Sequence, residues 1–200
     1  MSYSTVNVGT TDDDGTGDTI RAAFTKVNTN YSQVPAWQGI YPSANLTGTN
    51  GASAQNVFSS PSQITLLAST LYEMDGEYHI DTTGANAHYI STLFAGTATY
   101  TSFTYTTAAG EVSGAGVTQW YAMRSTTPTV ALQVIGSIAG ASVNSIRVRG
   151  VIRVNAGGTI IPQFQYSAIP GAAPTIRANS FFRVCELGAA SITSYGSGVS

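Results

Sequence analysis

The sequence predicts a mainly β protein, an antiparallel jelly-roll sandwich with one short N-terminal helix and an extended arm. From Gln63 onward, apolar and polar residues alternate with the two-residue period of half-buried strands, in runs rich in Thr, Tyr, Val and Ile. Gly, Pro and Asn bound these runs. That gives about eight to ten short strands with turn signals roughly every 8–15 residues, the spacing of a sandwich or jelly roll. A helical period shows only once, ahead of Pro35. Two hundred residues fit one all-β domain with an appendage, or at most two small domains.

Residues 1–34 make up the arm and helix. Ile20, Phe24, Val27 and Tyr31 fall at i, i+4, i+7 and i+11, one narrow apolar stripe. Asp18 follows Gly17 and precedes that run, which is the place of an N-cap. Its carboxylate can accept from the free N–H groups of the first turn and suits the positive end of the helix dipole. The helix stops near Asn30, and Pro35 discourages continuation. So short a helix with one apolar face does not stand alone in water, which makes Ile20, Phe24, Val27 and Tyr31 the expected docking residues.

Residues 35–60 read as a linker, because Pro42, Gly48, Gly51 and repeated Asn, Ser and Thr interrupt every period. Trp37, Ile40, Tyr41 and Leu46 are scattered apolar anchors within it, as in a segment laid on a surface. Residues 61–188 are the β-domain. Its runs are Gly76–Asp81, Ala87–Phe94, Thr97–Thr106, Gln119–Arg124 and Thr129–Ile135. A hairpin is expected where Ile146, Val148, Ile152 and Val154 share one face, Asn155-Ala156-Gly157-Gly158 turns, and Ile160, Phe164 and Tyr166 return. Pro162 lacks an N–H and favours an edge or bulge there. A last strand, Ser180–Leu187, precedes a small polar tail, 189–200.

Composition removes several functions. Only 9 % of residues are charged, against about a quarter in an ordinary soluble domain. Lys26 is the only lysine, and eleven Tyr are present. Disordered chains are charge-rich and poor in aromatics, so disorder fits badly. Interface cores are depleted in charge and enriched in Tyr, which fits a protein buried against its own copies or a larger assembly. A soluble β protein with a Ser/Thr-coated surface is the bland alternative. The net charge of −2 offers no footprint for nucleic acid. No run nears the ~18 apolar residues of a membrane span. Met1-Ser2-Tyr3-Ser4 lacks the basic and apolar regions of a secretory signal. The lone Cys185 forms no intrachain disulfide, so a reducing cytoplasm is adequate for folding.

No catalytic or cofactor-binding constellation emerges. Asp12, Asp14, Thr16 and Gly17 match the early positions of a calcium loop, but Ala23 stands where the bidentate Glu is required. His79 shares a strand face with Glu77 and Asp81, yet no compact second His or nearby Cys completes a metal site. Glu77 and Asp81 would lie about 13 Å apart along a strand, too far for either glycosidase geometry. There is no Gly-x-Ser-x-Gly elbow, phosphate loop or zinc spacing. Tyr100, Phe103, Tyr105, Trp120 and Tyr121 divide between two strand faces, so most of them are expected in the core rather than on a sugar platform. Arg147, Arg149 and Arg153 alternate onto one strand face with Val151. They read as a solvated edge, as a subunit interface answered by carboxylates such as Glu111 or Glu186 of a neighbour, or as a contact for an acidic glycan or a capsid surface.

Two stretches carry resemblances. Val6-Asn7-Val8-Gly9-Thr10, then Asp14-Gly15-Thr16-Gly17-Asp18 and Arg21-Ala22-Ala23-Phe24-x-Lys26-Val27-Asn28-x-Asn30-Tyr31, resemble a segment that recurs near the start of tailed-bacteriophage tail-fibre, baseplate and decoration proteins. The resemblance implies a virion component assembled in the host cytoplasm. Gly150–Thr159 through Pro162-Gln163-Phe164, then Asn179–Val184, resemble the C-terminal half of a phage-type jelly roll similar to the C1q and tumour-necrosis-factor architecture. That implies a homotrimer. Together they lead us to expect a non-enzymatic virion structural protein without a cofactor. It would be a trimeric capsid decoration or head-fibre protein, docked on other capsid or tail proteins through Ile20, Phe24, Val27 and Tyr31. The alternative is a short tail fibre or spike binding a host surface glycan through loops such as Thr83–Asn86 and Ile169–Pro174. A polysaccharide-cleaving enzyme is the third class.

Overall fold

Residues 4–10, 15–32, 36–113 and 118–192 are described by the computed structural model of the chain. They fall into two units, Met1–Ala36 and Trp37–Ser200.

In the first unit the expected helix forms as α1, Ile20–Ser32. Its cap differs from the expectation. The Ala22 N–H donates to Thr19 Oγ1 at 3.3 Å, and the Ala23 N–H donates to the Thr19 carbonyl at 2.8 Å. Thr19 is therefore the N-cap, and Asp18 is not. The reason is competition. The Asp18 carboxylate accepts from the Asn7 N–H at 2.8 Å and from Lys26 Nζ at 2.7 Å, while its own N–H donates to the Asn7 carbonyl at 2.8 Å. Asp18 is committed to the arm, and the cap moves one residue on.

The second unit is an antiparallel β-sandwich. Its strands are β1 (Trp37–Ile40), β2 (Leu46–Thr47), β3 (Gln55–Asn56), β4 (Ile64–Leu66), β5 (Thr70–Thr82), β6 (His88–Ala95), β7 (Tyr100–Ser113), β8 (Thr118–Ser125), β9 (Leu132–Ile138), β10 (Ser142–Val154), β11 (Gly158–Tyr166), β12 (Thr175–Ile176) and β13 (Phe181–Ala189). The larger sheet runs β1-β13-β5-β10-β7-β8, with β12 pairing β5 and β2. The smaller runs β3-β11-β6-β9, with β4 also on β11. The chain passes from sheet to sheet at β5–β6 and β10–β11, the crossing order of a jelly roll. The β7–β8 hairpin widens the larger sheet beyond β10.

Two expectations change here. Residues 37–60 are not a linker: β1 pairs with β13, β2 with β12 and β3 with β11. Ile40, Val57 and Phe58 are buried in the core. The Gly and Pro breaks shorten these strands without removing them. Asn155–Gly158 does not close a hairpin either, because β10 pairs with β5 and β7 while β11 pairs with β3, β4 and β6. The turn instead carries the chain across the sandwich. Both of its flanking strands bury the expected faces, Ile146, Val148, Ile152 and Val154 from one sheet and Ile160, Phe164 and Tyr166 from the other.

Pro162 sits inside β11 rather than at an edge. It is tolerated because β4 pairs β11 at 158–160 and β3 pairs it at 163–164. The missing N–H falls in the gap, where the Pro162 carbonyl accepts from the Val57 N–H at 3.0 Å. Phe94 of β6 bridges the two sheets, with ring centroids 5.4 Å from Phe103, 5.2 Å from Tyr105 and 5.7 Å from Phe182. At the C-terminal end, Arg153 donates to the Ala190 and Ile192 carbonyls, which ties down the first residues of the expected tail.

Candidate functional site

Two surfaces carry the residues singled out by sequence. The first is the arm and α1. Asn30 closes a reciprocal pair with Ser4: its Nδ2 donates to the Ser4 carbonyl and its Oδ1 accepts from the Ser4 N–H, both at 2.8 Å. One turn earlier, Lys26 Nζ reaches the Thr5 carbonyl at 3.1 Å and both Asp18 oxygens at 2.9 and 2.7 Å. Asn7 Nδ2 donates to the Thr16 carbonyl at 2.8 Å, and Asn7 Oδ1 accepts from the Gly9 N–H at 3.0 Å. A Cβ on Gly17 would stand 3.2 Å from the Asn7 carbonyl oxygen and from the backbone of Val8 and Gly9. The arm thus lies along one side of the helix, clasped by polar bonds. Lys26 and the Asn7 N–H hold the Asp18 carboxyl below its ordinary range.

This clasp accounts for the Asn, Gly, Asp and Lys positions of the N-terminal segment. It occupies the helix face that carries Lys26 and Asn30, with the small Ala22 and Ala23 beside them. The adjoining face presents the apolar stripe: Ile20 is 77 % exposed, Phe24 64 % and Val27 49 %. Tyr31 continues the helix, and its side chain lies outside the described residues. Asp12, Asp13 and Asp14 lie outside them too, so of the acidic loop only Gly15–Asp18 is in view.

The second surface is the outer face of the larger sheet. Strand alternation turns Glu73, Asp75, Glu77 and Asp81 of β5 to this side, with Arg147, Arg149 and Arg153 of β10 and Arg183 of β13. That is four of the chain's ten acidic and four of its eight basic residues, so one face gathers much of a scarce charge. Arg147, Arg149 and Arg153 do share a face, as the alternation predicts, but their partners lie in the same chain. Asp75, its side chain 8 % exposed, accepts from Arg149 Nε at 3.2 Å and Arg183 Nη2 at 2.9 Å, with Arg147 Nη2 at 4.0 Å. Arg153 is engaged by backbone carbonyls. Glu186 does not enter this cluster, and the Glu111 side chain lies outside the described residues. Within the chain, Asp75 is hydrogen-bonded by Arg149 and Arg183, while Arg147 stands at the 4.0 Å limit of an ion pair.

Sequence reasoning missed the aromatic edge of this face. Trp37 and Gly39 of β1 register against Cys185 and Arg183 of β13. The Arg183 guanidinium lies 4.5 Å above the Trp37 ring and 5.2 Å above Phe181. Tyr41 stacks on Phe181 at 6.1 Å and 22°. A Cβ at position 39 would come within 2.6 Å of the Tyr41 ring, so the glycine leaves that ring its place. The available signal was the alternation Trp37-x-Gly39-x-Tyr41, hidden by the Gly and Pro content around it.

Other candidates stay apart. Phe103 and Tyr105 are in the core and Tyr100 packs against it, while the Trp120 and Tyr121 side chains lie outside the described residues. Burial pushes the Tyr100 hydroxyl up to about 12. His79 Nε2 stands 3.4 Å from Glu77, and Asp81 pairs with Arg177. Among the described residues no group of three His, Cys, Asp or Glu is placed to hold a metal. Burial and the charges of Glu73 and Glu186 push the Cys185 thiol up, away from reactivity. Thr83–Asn86 and Ile169–Pro174 do come together: the Asn86 N–H donates to the Pro170 carbonyl at 3.0 Å and Asn86 Nδ2 to the Ile169 carbonyl at 3.1 Å. Among the described residues no helix is long and apolar enough to cross a membrane.

No protein-family model matches the chain, and no curated protein matches it. Among solved structures it is similar to the VP2 subviral particle of infectious bursal disease virus, with a TM-score of 0.20 and 11 % identity over 78 % of this chain and 42 % of that one. A structure of the Gt strain of the same virus gives 0.20 and 12 %, over 82 % and 46 %. The chain spans less than half the length of these structures. At such TM-scores the likeness does not reach a common topology, and no role is drawn from it.

Proposed function

We propose that the chain is a non-enzymatic structural component of a bacteriophage virion: a trimeric capsid decoration or head-fibre protein, docked on other virion proteins through its N-terminal unit. One observation carries this reading. In α1 Lys26 and Asn30 bond the arm, while Ile20, Phe24 and Val27 stay exposed on the adjoining face. A helix of thirteen residues gains little from exposing such a stripe to water. It gains much by laying the stripe in a groove, with the side chains at i, i+4 and i+7 as anchors. Each anchor is worth about 1.5–3 kcal/mol on full burial.

The β-unit supplies the projecting body. Its jelly-roll strand order agrees with the resemblance that implies threefold assembly. Three copies docked as one unit would gain avidity without any stronger single contact. A subunit contact at Arg147, Arg149 and Arg153, the expected interface residues, would add to the bonds these side chains already make within their own chain.

Incorporation into particles tests the docking. Removal of residues 1–34 is expected to leave a folded β-unit that is missing from purified virions by mass spectrometry. Phe24→Asp in the full chain is expected to do the same, because a carboxylate cannot enter an apolar groove unpaired. Normal incorporation of either variant would refute docking through this unit. Light scattering of the purified chain tests the trimer separately, and a monomer at working concentration would remove it.

A further inference from the structure

We propose that the outer face of the larger sheet is a binding site for an acidic oligosaccharide, laid across β1, β13, β5, β10 and β7. It goes beyond the virion reading and does not depend on where the chain is mounted. Three parts of the site stand in register. Trp37, Cys185, Glu73, Val151 and Thr104 form one row across the five strands, and Gly39, Arg183, Asp75, Arg149 and Thr106 form the next. At about 4.8 Å per strand, each row spans about 19 Å, long enough for several sugar rings.

At one end is the aromatic platform. Tyr41 is 58 % exposed and Trp37 42 %, both held in place by Phe181 and Arg183. Flat apolar faces fixed at the surface suit the C–H faces of pyranose rings, and they cost little ordering on binding. In the centre, Arg183 and Arg149 are oriented by Asp75. Asp75 is buried, and both its oxygens are already accepting. Arg149 uses only Nε there and its side chain is 60 % exposed; that of Arg147 is 51 % exposed. A ligand therefore meets exposed guanidinium groups, and the Arg149 Nη atoms make no hydrogen bond among the described residues, leaving the fork that a carboxylate accepts in bidentate form. At the far end lies a groove of about 370 Å³, bounded by Glu73, Thr104, Thr106, Arg149, Val151 and Leu187. Two hydroxyls and one carboxylate beside two aliphatic side chains match the mixed edges of a sugar.

Charge decides between a glycan and a protein on this face. Interface cores are depleted in charged side chains, whereas this face holds four acidic and four basic residues of a charge-poor chain. The donors left open are cationic, which selects a carboxylated sugar over a neutral one.

The full chain is tested on an array of sialylated and uronic-acid oligosaccharides beside their neutral counterparts, with calorimetry on 3′-sialyllactose and hexagalacturonate. Acidic glycans are expected to bind and neutral ones not, with affinity falling as salt is added. Trp37→Ala and Arg149→Gln are each expected to weaken binding at least tenfold. Thr106→Asp, an exposed change that sets a second carboxylate in the groove directly across from Arg149, is expected to abolish it. Thermal melts confirm that each variant is folded. No retained acidic glycan, equal binding of neutral glycans, or unchanged affinity in all three variants would overturn the proposal. So would a lower oligomeric state in Trp37→Ala or Arg149→Gln by light scattering, which would make the face a contact between copies.

Discussion

The two units of this chain are held by opposite means. In the β-unit, Phe94, Phe103, Tyr105, Phe164, Tyr166, Phe182 and their aliphatic neighbours are buried in one core between two sheets whose strands are joined by backbone ladders. In the N-terminal unit, none of the described side chains of residues 4–30 is fully buried. Asn7, Asp18, Lys26 and Asn30 fasten arm to helix instead, and the large apolar residues of the helix lie on the adjoining face. One unit buries its large apolar side chains; the other leaves Ile20, Phe24 and Val27 exposed. On the proposed reading, stability and attachment therefore fall to different residues.

The largest test of this division is Phe94→Ala. The ring touches three aromatics from the opposite sheet, and truncation of a buried Phe costs about 3–5 kcal/mol. Urea unfolding of the β-unit is expected to shift by that amount, while hydrogen exchange in α1 is unchanged. A matching loss of protection in residues 20–32 would show that the two units share a core.

A smaller effect is expected at Asp75. Asp75→Ala leaves Arg147, Arg149 and Arg183 facing one another without their carboxylate. Removing one partner of a buried pair costs about 3–5 kcal/mol, but these arginine side chains are 51 %, 60 % and 36 % exposed. Water replaces most of the loss, so we expect about 1–2 kcal/mol in thermal unfolding. A neutral result would make the cluster a solvated surface feature.

The same division explains what was legible in the sequence. Every β-strand longer than three residues after residue 63 lay under a visible alternation, because strands half-buried in a sandwich must show one. The strands before it did not. β1, β2 and β3 are two to four residues long, too short to display a period between Gly and Pro. Partner choice was equally hidden: the turn at Asn155–Gly158 looks like any hairpin turn, and only the packing of two sheets sends β10 and β11 apart. The apolar stripe of α1 was legible from spacing alone. The clasp was not, since Ser4 and Asn30 meet across 26 residues of chain and Asn7 and Asp18 across 11. For the same reason Arg147 and Arg149 were visible as a row, while their answer in Asp75, 74 residues upstream of Arg149, was not.

The smallest expected effect separates the cap from the clasp. Thr19 holds the first turn and Asp18 holds the arm, so neighbouring substitutions are expected to fail differently. Thr19→Ala removes an N-cap acceptor worth about 1 kcal/mol, and is expected to fray Ile20–Ala23 at every pH. Asp18 acts only while ionised. Its folded pKa is lowered by Lys26 and the Asn7 N–H, so its contribution is present above the unfolded value of about 3.9 and is lost as pH falls through the folded one. Acidification through that lowered value is therefore expected to release the Asn7 amide, seen by NMR, while the helical signal of Ile20–Ser32 changes little. Asp18→Asn is expected to abolish that acid transition and leave a permanently weaker clasp. If Asp18→Asn instead frays the first turn as Thr19→Ala does, the carboxylate caps the helix after all, and the arm is held by Lys26 and Asn30 alone.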